Sequence, residues 1–443
     1  MSSAPPGPPS RARVAAATFV GTAIEFYDFY LYGTAAALVF GPVFFPEFSP
    51  VAGTLASLTT FAVGFVARPL GAVLFGHFGD RLGRKRMLVV SLLVTGGATV
   101  TVGLIPSYAA IGVLAPVLLV TARFLQGIGM GGEWGGAVLM ATEHAPAGRR
   151  GLYSAFPQSG PAVGFLLGNL VFLVLNATMP DEVFRSTGWR VPFLASAVLL
   201  VIGYYIRVRV NETPIFQAVL DRRHRARAPF AELLRHQSRV LLLATLSFIL
   251  AHALFYTVTT FVLSYATGAL GVGRSTVLTA AMVAVAVMGV LTPLAAAASD
   301  RFGRKRLCLA AGTGAALWAF PLFWLVDTGR PVLITVGMTG GMVCFALLYG
   351  PMGAFLPELF RVRYRYSGAS FAYNAAGIVG GGISPLVATA LLAGTGTSAW
   401  VSVYLLLIAL VSLASVVALG ETKDDDFADG LEPETRDETP PQR

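Results

Sequence analysis

The sequence predicts an all-α polytopic membrane protein: twelve transmembrane helices in two six-helix bundles related by duplication. Three observations carry that prediction. Of the 443 residues, 55% are hydrophobic and only 12% charged, against roughly 25% charged residues in an ordinary soluble domain. Apolar runs of about 20 residues, the length a bilayer-crossing helix needs, recur along the chain. One charged loop returns at a fixed displacement of 220 residues, Asp80 answering to Asp300.

The opening stretch MSSAPPGPPS is rich in Pro and Ser, and residues 1–13 are expected to form a disordered cytoplasmic N-terminus. A signal peptide is excluded, because the first apolar run carries Glu25 and Asp28 and many more runs follow. Spans are placed near 14–39, 51–75, 87–106, 112–141, 152–177 and 190–209, giving an N-terminal bundle over 14–210. A basic cytoplasmic linker is expected over 211–239. The second bundle, 240–419, holds spans near 240–266, 276–298, 307–326, 331–356, 368–393 and 398–419. The tail 420–443 is acidic, contains Pro and lacks apolar heptads, so it is expected to be disordered and cytoplasmic.

With the N-terminus inside, the inner segments collect 26 of the 32 Lys and Arg residues. This asymmetry predicts cytoplasmic termini and a multi-pass cell-membrane protein. The net charge of +9 therefore reports topology, and no nucleic-acid partner is expected. Cys308 and Cys344 both fall in apolar segments and provide neither a disulfide framework nor a zinc spacing. The five His residues are scattered, so no metal site is expected.

The repeated loop reads GHFGDRLGRKRML after span 2 and ASDRFGRKRLCL after span 8. Gly76 opens the first copy. Asp80, Arg81, Gly83, Arg84, Lys85 and Arg86 then recur as Asp300, Arg301, Gly303, Arg304, Lys305 and Arg306. A parallel duplication of six spans is the simplest origin of such a repeat. A second pair supports it: EHAPAGRRG after span 4, with Glu143 and Arg149, answers to PELFRVRYRYSG after span 10, with Glu358 and Arg363. An Asp with basic residues at helix ends can make charge-assisted bonds to a neighbouring helix terminus, bonds that break when two bundles rock apart. These loops are accordingly read as a gating motif.

On these residues the sequence resembles the major facilitator superfamily over residues 14–420. Within it, the chain is similar to the metabolite:proton symporters, whose members import shikimate, 2-oxoglutarate, citrate, aromatic acids, or proline and betaine. The narrower likeness rests on GTAIEFYDFYLYG, FAVGFVARPLGAVLFGHFGDRLGRKR, RFLQGIGMGGEWGGAVLMATEHAPAGRRG, NETPIF and SGASFAYNAAGIVGGGISP together. The resemblance implies a monomeric transporter, not an enzyme, that takes up a small polar metabolite with protons and has no cofactor. An organic acid such as a shikimate-like compound is the leading cargo, and a proline/betaine-type solute is the alternative. A drug:proton antiporter is the weaker rival, because FPQSGPAVGF places Phe156 and Phe165 where that class has glycines.

Charges inside spans are costly and point to function. Glu25 and Asp28 lie three residues apart on one helix face near mid-membrane, with Arg123 at a similar depth in span 4. Two carboxylates that close cannot both ionise cheaply, so one takes up a proton, and Arg123 favours the charged form of whichever it meets. The resemblance assigns proton coupling to Asp28 with Arg123, with Glu25 either sharing that role or orienting Arg68. Arg68 is read either as a ligand for a cargo carboxylate or as a snorkelling residue, and Glu133 as its structural partner. Tyr27, Gln126, Gln158, Tyr256, Tyr373 and Asn374 complete the expected cargo site, as polar or stacking groups among apolar neighbours. His252, early in span 7, is read either as a group able to titrate during transport or as a satisfied core residue.

Overall fold

The computed structural model describes residues 11–82, 84–143, 145–146, 148–209, 229–361 and 365–424. Among the described residues the long helical rods are, in order, α1 (Arg11–Leu38), α2 (Pro50–Leu82), α3 (Arg84–Leu104), α4 (Leu114–Glu143), α5 (Arg150–Thr178), α6 (Arg190–Arg209), α7 (Glu232–Gly268), α8 (Arg274–Phe302), α9 (Arg304–Val326), α10 (Pro331–Glu358), α11 (Arg365–Thr395) and α12 (Ala399–Ala418). Among the described residues nine are long and apolar enough to cross a membrane. The count is ten when the bent pair Asp181–Gly188 and Arg190–Tyr205 is taken as one span. The apolar stretch of α3 is shorter, Val89–Leu104, and α1 carries two buried acids. Large apolar side chains such as Leu317 and Val201 are 74% and 68% exposed on the outer surface, as a bundle immersed in lipid requires.

The duplication written in the loops reappears in the packing. In the first half α1 lies on α5, α2 on α4 and α3 on α6. In the second, α7 lies on α11, α8 on α10 and α9 on α12, each helix six positions on. The halves meet through α5 against α8 and α2 against α11, which are equivalent pairs under the same shift. Small residues set the helix spacing, since helices in lipid associate by close backbone packing. At Gly127 and Gly131 of α4 a methyl group would run into the carbonyls of Gly64 and Arg68 of α2.

Two segments outside the expected spans carry defined structure. The helix containing α7 begins at Pro229, inside the expected linker, and turns at Gln237 (φ −130°, ψ 26°) before entering the span. Pro is well placed in a first helical turn, and Leu233 buries the apolar side of the segment. The start of the expected tail is also held. Glu421 accepts the backbone amides of Arg304 (2.8 Å) and Lys305 (3.1 Å), capping α9, and Thr422 donates to Glu358 at 2.6 Å. The capped helix N-terminus attracts a carboxylate, which the sequence pattern of the tail alone did not signal.

Candidate functional site

A small cleft lies between the halves, walled by α1, α2, α4 and α11. It brings together Glu25, Arg68, Tyr373 and Asn374, expected as site residues, and Glu133, expected only as a structural partner of Arg68, with Thr22, Phe26, Met130 and Trp134. Glu25, Arg68 and Glu133 are 2%, 1% and 4% exposed. The Arg68 guanidinium lies 3.9 Å over the Phe29 ring and 4.8 Å over that of Phe65, with Nη2 3.5 Å from the Met130 sulfur. Aromatic faces are favourable surroundings for a buried cation. Its Nε has no hydrogen-bond partner.

The α4 wall is built by a break in the helix. Gly131 ends one segment and Glu133 begins the next, with Gly132 between them. A helix end leaves carbonyls unsatisfied inside the membrane. Side chains of α11 supply the donors: Asn374 Nδ2 to the Gly131 oxygen at 3.0 Å, and the Tyr366 hydroxyl to that of Gly132 at 2.6 Å. Trp134 stacks flat on Tyr373, with centroids 4.0 Å apart at 3°, and donates to Gln158 Oε1 at 3.1 Å. Gln158 Nε2 in turn donates to the Tyr349 oxygen of α10 at 2.6 Å. Gln158 and Asn374 are thus bonds between the halves.

Asp28 occupies a separate polar pocket. Its carboxylate accepts Ser196 Oγ of α6 at 2.7 Å. No ion pair joins Asp28 to Arg123 among the described contacts; Gln126 stands between them. Arg123 Nη1 donates to Gln126 Oε1, while Gln126 Nε2 donates to Thr99 Oγ1 at 2.7 Å and to the Asp28 backbone oxygen at 3.3 Å. Three rings surround Arg123, with its guanidinium 4.0 Å from the centroid of Phe29, 4.3 Å from Tyr32 and 4.8 Å from Phe61. The Tyr27 hydroxyl is engaged elsewhere, donating to the Pro192 oxygen at 2.9 Å, and Tyr27 does not line the cavity. Tyr256 packs into an aromatic plug with Phe29 and Phe65, and Tyr30 faces Phe255 at 4.9 Å. His252 lies 4.8 Å from Tyr373, its Nδ1 3.3 Å from the Phe248 oxygen.

Contacts close the bundle at both ends. At the end bearing the basic loops, the two Asp300 oxygens accept the amides of Gly151 and Leu152 at the start of α5, each at 2.9 Å. Arg304 pairs with Asp300 at 2.7 Å and with Glu358 at 3.3 Å, and Arg150 reaches Glu358 at 3.9 Å. Arg149, the sequence candidate, is exposed; the next residue, facing the interface, takes that place. Glu143 ends α4 at the same level, Arg301 contributes its backbone oxygen to Lys423 at 3.0 Å, and Gly303 turns the chain at φ 100°. Gly83, Arg363 and the side chains of Asp80, Arg81, Arg84 and Lys85 lie outside the described residues, as does the environment of Gly76. At the opposite end, Asn176 of α5 donates to Ser275 of α8 at 2.8 Å, and Arg274 bonds Asn176 (3.1 Å) and Asp181 (2.9 Å).

Comparison with known proteins agrees with this architecture. The family model described as Major Facilitator Superfamily matches residues 18–381. The chain is 46% identical over 419 residues to the inner membrane metabolite transport protein YhjE of Escherichia coli, covering 94% of this chain and 95% of that one. It is 39% identical over 423 residues to the shikimate transporter of the same organism (94% and 96% covered). The proline/betaine transporter of Escherichia coli is 32% identical over 418 residues (92% and 83% covered). Among solved structures, the proton:xylose symporter XylE bound to 6-bromo-6-deoxy-D-glucose superposes with a TM-score of 0.73 at 18% identity, over 93% of this chain and 96% of that one, a likeness of fold. This is a multi-pass membrane protein and a transporter, not an enzyme. The chain belongs to the Major Facilitator Superfamily, within the group of metabolite transporters that these relatives represent.

Proposed function

We propose that the protein is a proton-driven symporter that takes up a small organic acid by alternating access, working as a monomer with both termini in the cytoplasm. The observation that carries this reading is the buried cleft between the halves, in which Arg68 sits with Glu25 and Glu133 and lacks an acceptor at Nε. A buried guanidinium is suited to a carboxylate. The stacked Trp134 and Tyr373 offer an apolar face to the carbon skeleton of the cargo, and Asn374 ties that wall to the second half.

The α1 carboxylates are the proton acceptors in this reading. Glu25 faces the cargo, and Asp28, one turn on, communicates with Arg123 through Gln126. A movement that freed Arg123 from Gln126 and brought it to the Asp28 carboxylate would favour the charged form and release a proton. Asp300 and Glu358, with Arg304 and Arg150, form the cytoplasmic gate, which opens when α5 and α8 separate. The shikimate transporter among the relatives supports the organic-acid class. The proline/betaine relative keeps a zwitterionic solute as the second reading.

The test is uptake into proteoliposomes from one mixture of shikimate, 2-oxoglutarate, citrate, protocatechuate, proline and glycine betaine, read by mass spectrometry. The expected result is accumulation of an organic acid with an inward proton gradient and only equilibration without one. Accumulation of proline or betaine alone would replace the cargo class. Accumulation indifferent to the gradient would overturn symport.

A further inference from the structure

α5 of the first half and α8 of the second pack against each other and are tied at both ends. Near the middle their backbones lie close: a methyl group added at Gly289 of α8 would fall 2.9 Å from the Ala162 Cβ of α5. At the basic end Asp300 closes the start of α5. At the other end, the outer face in the orientation proposed above, the roles are exchanged, and the start of α8 is held by the end of α5. There the Asn176 amide grips two successive residues, its Nδ2 donating to Ser275 Oγ at 2.8 Å and its Oδ1 accepting from Arg274 Nη1 at 3.1 Å. Arg274 Nη1 also meets Asp181 Oδ1 at 2.9 Å, and the guanidinium lies 5.4 Å from the centroid of the buried Phe184 ring. Arg274 is the first residue of α8, where the helix dipole opposes a cation, and the first turn of α8 holds no acid to offset it. Its carboxylate partner belongs to the other half. A residue unfavourable to its own helix is thus compensated by a contact that exists while the halves touch at this end.

We infer that Asn176, Asp181, Arg274 and Ser275 form the outer latch of the transporter, an inference that rests on the alternating-access reading above. Two rods packed closely at their middle part at one end while the other end stays joined. Opening toward the outside therefore breaks the Asn176 clamp and the Arg274 to Asp181 pair and leaves Asp300 on α5. Opening toward the inside does the reverse. The latch is built to yield. The Asp181 side chain is 60% exposed and that of Arg274 15%, so water takes over their bonds at little cost when the ends separate. Asp181 also keeps a partner in its own half, Arg185 at 2.9 Å, and parting does not strand the carboxylate. Asn176 supplies the directional element, since an amide that uses both its donor and its acceptor fits one register of α8 against α5.

The experiment reads how often the outer side opens and needs no cargo. The full-length protein, with Cys308 and Cys344 replaced by Ala, carries Ala281→Cys as a probe, two turns beyond Arg274 on the same face of α8 and fully buried in the latched form. A membrane-impermeant maleimide is added outside right-side-out vesicles. Arg274→Gln and Asp181→Asn are each expected to speed labelling about 3–10-fold, the effect of one or two polar bonds lost. Arg185→Gln, which removes the partner that Asp181 keeps on opening, is expected not to speed it. In a further variant the latch is closed covalently: Asn176→Cys with Ser275→Cys, oxidised to a disulfide, should silence the probe, and reduction should restore labelling. Unchanged labelling in Arg274→Gln and Asp181→Asn, acceleration by Arg185→Gln, or a probe that still reacts in the oxidised variant would overturn the latch. A separate probe at the basic end, Ala296→Cys read from the inner side, distinguishes the two readings. If it reacts while the latch variants leave the outer probe unmoved, the latch fails and alternating access stands. If neither probe reacts in any variant, alternating access fails with it.

Discussion

Asp300 of the second half accepts the backbone amide of Gly151, the second residue of α5 in the first half, at 2.9 Å. Its other oxygen takes the next amide, Leu152, so one carboxylate closes the start of a helix that belongs to the opposite bundle. An anion at a helix N-terminus contributes about 0.3–1 kcal/mol, and up to about 2 kcal/mol when partly buried. Asp300→Asn removes that charge and the pair with Arg304. The basic end is then expected to open more often, by a factor of about 5–30 for about 1–2 kcal/mol. A cysteine placed at Ala296, which packs under Gly151, should react correspondingly faster with a membrane-impermeant maleimide from that side. An unchanged rate would remove Asp300 from the gate.

Gln126 makes three bonds in the relay between Arg123 and Asp28. Gln126→Leu fills similar volume but leaves one buried donor, Arg123 Nη1, and two acceptors, the Asp28 backbone oxygen and Thr99 Oγ1, without it, each costing about 1–3 kcal/mol. Gradient-driven accumulation is expected to fall at least about tenfold, the effect of a single such group. The fall should exceed that of cargo exchange measured without a gradient. Equal losses in both assays would make Gln126 merely structural.

Glycine spacing between α2 and α4 should be the more fragile part of the fold. In Gly131→Val the new side chain meets the Arg68 backbone, and overpacking of this kind costs about 1–3 kcal/mol. Gly97, where an added methyl meets nothing within 4 Å, serves as the comparison. The thermal unfolding midpoint in detergent should drop for Gly131→Val and stay near the native value for Gly97→Val. A similar drop in both would show that helix propensity, not α2–α4 packing, governs stability.

Much of this was legible in the sequence because the signals were physical and redundant. The displacement linking Asp80 to Asp300 announced the duplication, and the α2–α11 and α8–α5 packing follows the same shift. The three ionisable residues that share the cavity stood out as charges in apolar runs. What the sequence did not disclose depended on rotation and reach. Span depth placed Asp28 and Arg123 at one level, but only the folded helices put Gln126 between them. Trp134 carries no sign of its role in the sequence, since its stack on Tyr373 joins the two halves of the chain. Ser196 and Thr99 were equally silent, being short hydroxyl residues in ordinary apolar context. Composition hid the binding of Glu421 and Thr422, because an acidic tail looks the same whether or not its first residues cap a helix.

The central claim is that cargo and proton move together through these buried charges. Proteoliposomes without a pH gradient, given the accumulated cargo on the outside, test it through a dye that reports external pH. The account predicts that the medium turns alkaline as cargo enters, and that Asp28→Asn abolishes this change while preserving exchange of cargo down its gradient. Cargo entry with no change in external pH in the native protein would contradict it.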